Sequence, residues 1–473
     1  MTGRTELDEV LAGASGPGIV AFFDFDGTLI EGYSGVDFYR DRLRRGQIGA
    51  VEFARSAAAT LDYRVRTADI TGLLTQTVQA WAGLAEQELL DVGERLFGST
   101  IAGRVYPEAR DLVAVHRSRG HTVVLATSAT RYQVAPLARD LGIEEVLCSG
   151  VEVVDGVLTG RVAGPILWGE GKAAAVRAYA VAADVDLSQC YAYGNGDEDV
   201  AFLDTVGHPR PLNPGRGLAR VAAERGWPVR QLRGRGRARP LDVVRTGAAL
   251  GSVAASLGVG VGVGVLTGSR RTAANLLASI GGDLALALAG ITVEIAGEQN
   301  LWAARPAVFV FNHQSALDVV ILARLLRQDF TGVVKKESSR DPFFAPLGML
   351  MDVAYVERGN RDQTRAALEP VLQRLAAGVS VAIAPEGTRS STRALGPFKK
   401  GAFHMALQAG VPMVPVVIHN AGDLMWKKSL VIRPGVLRVE VLPPVPTGGW
   451  DPAELDRHVD GVREMFLDAL RRR

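Results

Sequence analysis

Short apolar runs that end in polar, reactive residues recur along this chain of 473 residues. Runs of this length, bounded by polar residues or glycine, predict buried strands. They lie at 18–23, 122–126 and 190–193 in the first half, and at 291–296, 307–311, 332–334, 353–356, 379–384 and 411–418 in the last third. Helix-like stretches separate them, which predicts two α/β domains, with a mixed sheet in the second. Pro412 and Pro415 place the last run at a sheet edge.

Length and charge pattern divide the chain further. A chain of 473 residues exceeds what one core supports, so we expect two or three domains. Between residues 230 and 240 arginine alternates with glycine and proline, which predicts an exposed linker. We therefore expect domains at 1–230 and 291–473, an arginine-rich linker at 231–245, and membrane-embedded helices at 246–290.

The stretch from Thr246 to Gly268 holds 23 residues without a charge. As a helix rising about 1.5 Å per residue it would reach across a bilayer core, although its seven glycines leave a buried soluble helix open. A second apolar stretch, 273–293, is interrupted by Asp283. Arginines flank both ends of the first stretch, so both ends are expected in the cytoplasm. The pattern predicts a membrane-embedded helical hairpin whose arginines contact membrane phospholipids, with no nucleic acid as partner.

Two carboxylates follow the first apolar run, at 24–29 (DFDGTL). Acids two residues apart at a strand end can act as nucleophile and general acid/base, with a metal ion offsetting their charge. A polar turn without chemistry is the plainer alternative. The second run ends at Thr127 and Ser128, and the third leads into the acidic loop 194–199 (GNGDED). Lys172 is the only lysine among the first 334 residues, which argues against a surface position without function.

These motifs resemble those of the haloacid dehalogenase (HAD) superfamily, in its phosphoserine-phosphatase-like branch. The resemblance covers about residues 15–230 and implies a Rossmann-like domain with a helical cap at about 31–105. It implies that Asp24 is phosphorylated, that Asp26 is the general acid/base, and that the phosphate is bound by Ser128 and Lys172.

The same resemblance implies a magnesium ion as cofactor. Its ligands would come from Asp24, Asp26, Asn195 and Asp199. Asn195 is a departure, because an aspartate is usual at this position in the family. Tyr33 stands where the phosphoserine phosphatases carry a glutamate for the substrate's amino group, so phosphoserine is not the expected substrate.

The stretch 311–318 (FNHQSALD) organises the second half of the chain. The apolar run delivers His313, and Asp318 follows five residues later at the start of a helix. Ser315 fits the N-cap position and Asp318 the N3 position of a capping pattern. In the sharper interpretation Asp318 holds the imidazole in one tautomer, and His313 accepts a proton from an alcohol. In the plainer one Asp318 only caps the helix.

A further motif, 385–389 (PEGTR), follows the run 379–384. Together the motifs resemble the glycerolipid acyltransferases, specifically the 1-acylglycerol-3-phosphate acyltransferases, in order over nearly the whole of 291–473. The resemblance implies an α/β domain in which His313 is the general base and Asp318 its orienting partner, with lysophosphatidic acid and acyl-CoA as substrates. It implies substrate-binding roles for Arg358, Glu386, Gly387, Thr388, Arg389, Lys399 and Lys400.

The sequence thus predicts a bifunctional enzyme of phospholipid biosynthesis, similar to an actinobacterial fusion of these two families. An acyl group would pass to the sn-2 hydroxyl of 1-acylglycerol-3-phosphate to give phosphatidic acid, at the cytoplasmic face of a bacterial cell membrane. The fused N-terminal domain would be a magnesium-dependent phosphatase. Two alternatives stay open: the phosphatase is the main activity beside a lipid-binding C-terminal half, or the N-terminal half is purely structural or regulatory. A homo-oligomer also stays open.

Overall fold

Each half of the chain builds its own β-sheet. The structure, a computed structural model, describes residues 3–48, 70–234, 238–340, 344–356, 361–390, 392–427 and 429–472. The chain divides into two units, 1–236 and 237–473. Both units are α/β, which confirms the predicted fold class.

The first unit has a six-stranded sheet. Its strands are β1 (Val20–Phe23), β2 (Thr122–Thr130), β3 (Glu145–Val154), β4 (Val157–Ala163), β5 (Tyr191–Gly194) and β6 (His208–Pro211). Its helices are α1 (Gly3–Ala12), α2 (Ser34–Arg44), α3 (Ile70–Gln79), α4 (Glu86–Ser99), α5 (Pro107–Ser118), α6 (Arg131–Leu141), α7 (Glu170–Ala182), α8 (Val200–Leu203) and α9 (Arg216–Arg225), with 3₁₀ turns at Ile101–Arg104, Leu187–Gln189 and Asp197–Asp199. The order is β4-β3-β2-β1-β5-β6, and only β3 and β4 pair antiparallel.

Strand register brings two of the predicted motifs together. β1 is buried along its whole length and pairs in parallel with β2 and β5. Phe23 at the end of β1 faces Tyr193 of β5, and their rings stack with centroids 4.3 Å apart. The Asp24 N–H donates to the Tyr193 carbonyl at 2.9 Å. The DFDGTL motif therefore leaves the sheet beside the acidic loop, at the edge where parallel strands end and α/β proteins bind ligands.

The segment predicted as a helical cap, 31–105, contains α2, α3 and α4. Its residues 49–69 lie outside the described residues. The two ends of the segment are joined, because Asp37 forms an ion pair with Arg104 and the Glu31 N–H donates to the Arg104 carbonyl at 2.8 Å. Tyr33, the residue before α2, is exposed.

The second unit has a seven-stranded mixed sheet. Its strands are β7 (Ile291–Ala296), β8 (Val308–Phe311), β9 (Phe330–Lys335), β10 (Ala354–Val356), β11 (Ser380–Ile383), β12 (Met413–Ile418) and β13 (Gly435–Val441). Its helices are α10 (Pro240–Thr267), α11 (Arg270–Leu276), α12 (Gly282–Leu288), α13 (Asp318–Leu326), α14 (Phe344–Leu350), α15 (Arg361–Ala376), α16 (Gly401–Ala409), α17 (Ala421–Leu424) and α18 (Leu455–Arg471), with 3₁₀ turns at Glu298–Leu301, Lys336–Arg340 and Pro452–Glu454. The order is β10-β9-β11-β8-β12-β13-β7, and only β12 and β13 pair antiparallel.

The two central strands of this sheet carry the two motifs of the second half. β8 and β11 are neighbours in parallel, with Val310 opposite Ile383. The histidine-containing stretch after β8 and the PEGTR stretch after β11 therefore leave the sheet at the same edge. Apolar clusters cover both faces of these strands, which fixes them in place.

The prediction that the run 411–418 lies at a sheet edge is wrong. β12 lies between β8 and β13, and all six of its residues are buried. Pro415 is tolerated there although it has no backbone N–H. Its carbonyl accepts from the Leu442 N–H at 2.9 Å, and the N–H that proline lacks would point to the same side of the strand. On that side the ladder with β13 begins only at Val416.

The predicted hairpin segment, 246–290, holds a pair of helices. α10 buries one stripe against the core of the second unit, composed of Thr246, Ala249, Val253, Ser256 and Gly260. The Thr246 hydroxyl accepts from the Ile432 N–H at 2.9 Å. Its other face is apolar and exposed, with Val265 and Leu266 at 78% and 87% exposure. Among the described residues, α10 is the one helix long and apolar enough to cross a membrane.

The second helix of the pair packs against the sheet domain. α11 continues through a π-helical turn at 277–281 into α12. Asp283 of α12 forms ion pairs with Arg324 at 2.7 Å and Arg327 at 3.1 Å. The charge that interrupts the second apolar stretch is therefore neutralised inside the unit. The end of that stretch, from Ile291, is strand β7 instead of helix.

Candidate active sites

The histidine and aspartate of the second unit face each other at the start of α13. The Nδ1 atom of His313 lies 2.7 Å from Oδ2 of Asp318, which is fully buried. A carboxylate accepts, so Nδ1 carries the hydrogen and Nε2 keeps its lone pair. The His313 side chain is 24% exposed. Its Nε2 can therefore receive a proton from a substrate.

The capping prediction for Ser315 and Asp318 is confirmed in part, because the Asp318 carboxylate accepts from the Ser315 N–H, but the helix begins later than predicted. α13 begins only at Asp318, because residues 316–317 form a turn. Oδ2 of Asp318 also accepts from the N–H groups of Gln314 and Ser315, at 2.8 and 2.9 Å. The Ser315 hydroxyl donates to the Met425 carbonyl at 2.6 Å. Asp318 thus orders both the imidazole and the loop that carries it.

Glu386, predicted to bind substrate, faces the protein interior. Its side chain is buried, with Oε1 accepting from the His313 N–H and Oε2 from the Gly396 N–H, both at 2.8 Å. Burial raises the pKa of Glu386, and these two N–H groups act against that rise. The Ser390 N–H donates to the His313 carbonyl at 2.7 Å. The PEGTR turn therefore holds the His313 peptide from both sides.

Arg389 lies in this turn, next to His313. It is half-buried, and its Nη1 lies 3.5 Å from the Lys427 carbonyl, a long contact. The Lys427 Nζ donates to the Arg389 carbonyl at 2.7 Å. A guanidinium has five N–H donors, so Arg389 keeps donors for a phosphate.

The two lysines predicted to bind substrate point in different directions. Gly387 turns the chain with φ +68°, and a Cβ at this position would lie 3.1 Å from the Lys399 Nζ, so Lys399 lies over the turn. Lys400 instead pairs with exposed Asp456 at 2.7 Å, so the structure does not bring it to the site. Thr388 is exposed. Arg358 lies outside the described residues.

In the first unit, Lys172 bridges two carboxylates. Its Nζ lies 2.8 Å from Oδ1 of Asp24 and 2.6 Å from Oδ1 of Asp199, and all three side chains are buried. Burial alone would lower the pKa of Lys172, but Asp199 and Asp24 outweigh it, so the net pKa is raised and the amine stays charged. Burial raises the pKa of Asp24 to about 6, against the effect of Lys172.

Asp26 points toward the start of α2. Its two carboxylate oxygens accept from the Ser34 N–H at 2.7 Å and the Ser34 hydroxyl at 3.0 Å. The Ser34 hydroxyl in turn accepts from Gln133 at 2.9 Å. Burial raises the pKa of Asp26 to about 7, against the effect of these bonds. A carboxyl with this pKa can give and take a proton near neutrality, as a general acid/base must.

Oxygen atoms suited to magnesium converge on Thr28. Its hydroxyl oxygen lies 3.3 Å from Oδ2 of Asp24 and 3.1 Å from Oδ1 of Asn195. Gly27, at φ +78°, permits this approach, because a side chain there would overlap the Asn195 amide. Magnesium binds oxygen ligands, and usually only one or two of them come from protein carboxylates, beside water and phosphate oxygens. The oxygens of Asp24 and Asn195 are therefore suitable ligands.

The other two predicted ligands have hydrogen-bond partners within the protein. The Asp26 oxygens are taken by Ser34. Those of Asp199 accept from Lys172 and from the N–H groups of Asn195 and Gly196. Within the described ranges, no group of three or more His, Cys, Asp or Glu side chains could hold a metal.

Ser128 lies within β2, the strand that pairs with β1. Its side chain is half-buried, and its hydroxyl has no hydrogen-bond partner among the described residues. The neighbouring Thr127 is buried, and its hydroxyl accepts from the Ala129 N–H at 3.1 Å. Ser128 is therefore the hydroxyl of the two that is available to a ligand.

Comparison with known proteins agrees with this geometry. Residues 21–204 match the family model for haloacid dehalogenase-like hydrolases, and residues 292–419 match the model for acyltransferases. Phosphoserine phosphatase SerB1 of Mycobacterium tuberculosis is 33% identical over 242 residues, which are 50% of this chain and 79% of that protein. This chain belongs to the haloacid dehalogenase-like hydrolase family, with an acyltransferase domain fused to it.

The acyltransferase domain has its own relatives. 1-acyl-sn-glycerol-3-phosphate acyltransferase alpha of Homo sapiens is 35% identical over 185 residues, 39% of this chain and 65% of that protein. The Thermotoga maritima acyltransferase PlsC has a solved structure with 22% identity and a TM-score of 0.42, covering 49% of this chain and 98% of that one. The chain thus spans slightly less than two thirds of the human relative. The predicted resemblance to both families is confirmed.

Sequence reasoning missed several residues that shape the two sites. They are Thr28, Ser34 and Gln133 in the hydrolase domain, and Gly396 and Lys427 in the acyltransferase domain. Thr28 lies inside the DFDGTL motif, which was a usable signal. Lys427 is one of only seven lysines, which was another. Gln133 acts through Ser34, 99 residues away in sequence, which the local pattern does not contain.

A chain of hydrogen bonds joins two histidines of the hydrolase domain. Nε2 of His121 donates to the Ala14 carbonyl at 3.0 Å. Nδ1 of His121 lies 2.8 Å from Nδ1 of His116, and Nε2 of His116 lies 2.8 Å from the Tyr193 hydroxyl. Burial lowers the pKa of His116 to about 3, with His121 and Arg210 acting in the same direction. The His116 ring is therefore neutral near pH 7.

Proposed function

We propose that the acyltransferase domain transfers an acyl group from acyl-CoA to the sn-2 hydroxyl of 1-acylglycerol-3-phosphate, giving phosphatidic acid. The observation that carries this proposal is the bond between His313 and Asp318, which leaves Nε2 of the imidazole to accept a proton. The names of the acyltransferase relatives support the substrate, and Arg389, next to Ser390 whose N–H binds the His313 carbonyl, supplies a cation for its phosphate.

The reaction follows from these groups. Nε2 of His313 takes the proton of the sn-2 hydroxyl as its oxygen attacks the thioester carbonyl. The tetrahedral intermediate expels the CoA thiolate, and the imidazolium returns its proton to that sulfur. The Asp318 carboxylate accepts from Nδ1 and stabilises the imidazolium. Arg389 and Lys399 hold the phosphate, with the guanidinium able to bind two of its oxygens at once.

The direct test is product identification. Purified full-length protein is incubated with a panel of lysophospholipids and with either acyl-CoA or acyl-carrier protein, and lipids are analysed by mass spectrometry. Phosphatidic acid from lysophosphatidate and acyl-CoA is the expected product. Acylation of another headgroup would exclude lysophosphatidate as the acceptor, and a strict need for the carrier protein would exclude acyl-CoA as the donor.

For the hydrolase domain we propose phosphomonoester hydrolysis. Oδ2 of Asp24 attacks phosphorus, Asp26 gives a proton to the leaving oxygen and later takes one from water, and Lys172 steadies the phosphate. Asp24 and Asn195 would hold magnesium, which would supply positive charge to offset the repulsion between carboxylate and phosphate. The Lys172 contact to Asp24 supports this role. Release of inorganic phosphate from an aryl phosphate, lost in Asp24→Asn, is the test.

The proposed location is the cytoplasmic face of a bacterial membrane. The exposed apolar face of α10 would enter the lipid, while its buried stripe keeps the helix on the acyltransferase domain.

Phosphatidic acid synthesis that persists unchanged in Asp24→Asn would favour a regulatory or structural role for the hydrolase domain. Phosphatase activity without any acyl transfer would favour the alternative in which the second domain only binds lipid.

A further inference from the structure

We propose that Glu386 is a positioning residue, which holds the base His313 and the phosphate-binding Arg389 at a fixed separation. This inference rests on the proposed acyl transfer and assigns Glu386 a role in it that involves no contact with substrate. Glu386 lies three residues before Arg389 in the same turn. Its buried carboxylate is bonded to the backbone of His313.

The carboxylate is built into the protein by both oxygens. Oε1 receives the His313 N–H and Oε2 the Gly396 N–H, each at 2.8 Å. Within the described ranges no lysine or arginine forms an ion pair with it. A buried carboxylate with only backbone donors is costly unless both oxygens are bonded, so its geometry is narrowly defined.

The same turn holds the other side of the His313 peptide. The Ser390 N–H donates to the His313 carbonyl at 2.7 Å. Glu386 and Ser390 thus enclose Arg389 in sequence, and both bind His313. Any shift of the base relative to the turn must break one of these bonds.

Substrate chemistry gives this arrangement its purpose. In 1-acylglycerol-3-phosphate the phosphate and the sn-2 hydroxyl are separated by only a few bonds. A cation that binds the phosphate and a base that takes the hydroxyl proton must therefore keep a matching separation. Misplacement of a reacting group by about 1 Å costs on the order of 10²-fold in rate.

Glutamine cannot replace the carboxylate without loss. Its amide has one acceptor oxygen, and its NH₂ group would face a second N–H donor. Alanine removes both acceptors. We expect kcat to fall in the order Glu, Gln, Ala, by about 10²-fold for Glu386→Ala, with the KM values for both substrates changed by less than about threefold. Exposed Glu464, paired with Arg471, gives the matched control Glu464→Gln, which should retain wild-type kcat.

A second variant tests the two hydrogen bonds of the Glu386 carboxylate without removing the carboxylate. A Cβ at Gly396 would lie 3.0 Å from Oε2 of Glu386, so Gly396→Ala presses on the carboxylate from the side away from His313. Gly396 is not in the left-handed region, so alanine brings no backbone strain. A several-fold fall in kcat with unchanged KM is expected.

A double-mutant cycle with Arg389→Ala separates positioning from general damage. If Glu386 couples Arg389 to His313, Glu386→Gln should cost much less in the Arg389→Ala background than in the wild type. Additive losses would overturn the coupling. So would wild-type kcat in Glu386→Ala.

Hydrogen exchange makes the test independent of catalysis. The His313 amide, bonded to Glu386, should exchange faster in Glu386→Ala than in Glu464→Gln. Unchanged protection of the 312–318 peptide from exchange would refute the proposal that Glu386 holds His313 in place. If the wild-type protein makes no phosphatidic acid, the proposed function fails, and the exchange result still decides whether Glu386 holds the His313 peptide.

Discussion

The Nζ atom of Lys427 donates to the carbonyl of Arg389 at 2.7 Å, and Nη1 of Arg389 turns back toward the carbonyl of Lys427. This reciprocal contact joins the turn after β11 to the segment after α17. The Lys427 bond therefore holds the backbone of Arg389 in place.

Replacing Arg389 by alanine should weaken use of lysophosphatidate. The loss of a charge-assisted contact to phosphate, worth about 1.5–3 kcal/mol, corresponds to a rise of roughly 10- to 100-fold in the KM for that substrate. Steady-state kinetics with each substrate varied in turn measure it. Lys400→Ala is the matched control, because its amine pairs with Asp456. A rise confined to the KM for acyl-CoA would reassign Arg389 to the CoA phosphates.

Removing the base should abolish acyl transfer while the fold persists. His313→Ala should lower kcat by ~10²- to 10⁴-fold, the usual effect of losing a general base. Asp318→Asn should be comparably severe, because an amide NH₂ would face the donors that Oδ2 now accepts. Exposed His404 provides the control variant His404→Ala. Near-normal activity in His313→Ala, with an unchanged circular dichroism spectrum, would exclude His313 as the general base.

Restoring an aspartate at position 195 should strengthen magnesium binding. Asn195 offers a neutral oxygen where a carboxylate would add charge, and few ligands share this ion. We expect Asn195→Asp to bind Mn²⁺ about tenfold more tightly by electron paramagnetic resonance, since one charge typically adds about 1–2 kcal/mol at a half-buried site. Rapid phosphoserine hydrolysis by the wild type, absent in Asp24→Asn, would show that neither Asn195 nor Tyr33 limits the enzyme.

Acid should destabilise the hydrolase domain through His116. Its pKa is about 3 in the folded protein, against an ordinary value of 6.5. Between these pH values the unfolded chain binds a proton that the folded domain does not. His116 alone therefore makes stability rise with pH across this window by about 1.4 kcal/mol per pH unit. Asp24 and Asp26, with pKa values raised to about 6 and 7, act in the opposite direction over the same pH range.

Urea unfolding at several pH values between 4 and 7 measures this dependence of stability on pH. Hydrogen exchange of the β5 peptide monitors the unfolding of the hydrolase domain. His116→Gln should lower the slope by about 1.4 kcal/mol per pH unit, the contribution of one proton, and the exposed-site variant His404→Gln should not change it. Equal slopes in the wild type and His116→Gln would mean that His116 is protonated in the folded domain.

The membrane proposal predicts that both domains lie on the same side. Cysteines at exposed Ser118 and Ala453 should react with an impermeant thiol reagent only after the cytoplasmic face is opened. The background replaces Cys148 and Cys190 by serine, which keeps the Cys190 bonds to Val20 and Asp186 possible. Reaction from opposite sides would establish that α10 crosses the bilayer.

Apolar periodicity located the strands well, because burial of a strand depends on its own side chains. Ile291–Ala296 was predicted to the residue, and most of the other predicted strands agree within two residues at each end, but β3, β4, β6 and β13 were not predicted. The position of β12 in the sheet could not be predicted the same way. Whether Pro415 is tolerated depends on where pairing with β13 begins, which the local pattern does not contain.

The motifs also predicted that His313 lies beside Asp318, and that Asp24 and Asp26 follow the same strand, because each pair is close in sequence. The directions of longer side chains were less predictable. Glu386 turns inward because Gly396 and His313 offer N–H groups. Lys400 turns outward because Asp456, 56 residues later, is within reach.

The ion pair that buries Lys172 also determines where the chain can be modified chemically. Lys172 is 2% exposed, and the other six lysines all lie at or beyond residue 335. A dye, cross-linker or solid support that reacts with lysine side chains would therefore modify lysines of the C-terminal half alone. The protein can be tethered through one half while the other keeps its native side chains, so the turnover of each half can be followed separately on one intact polypeptide.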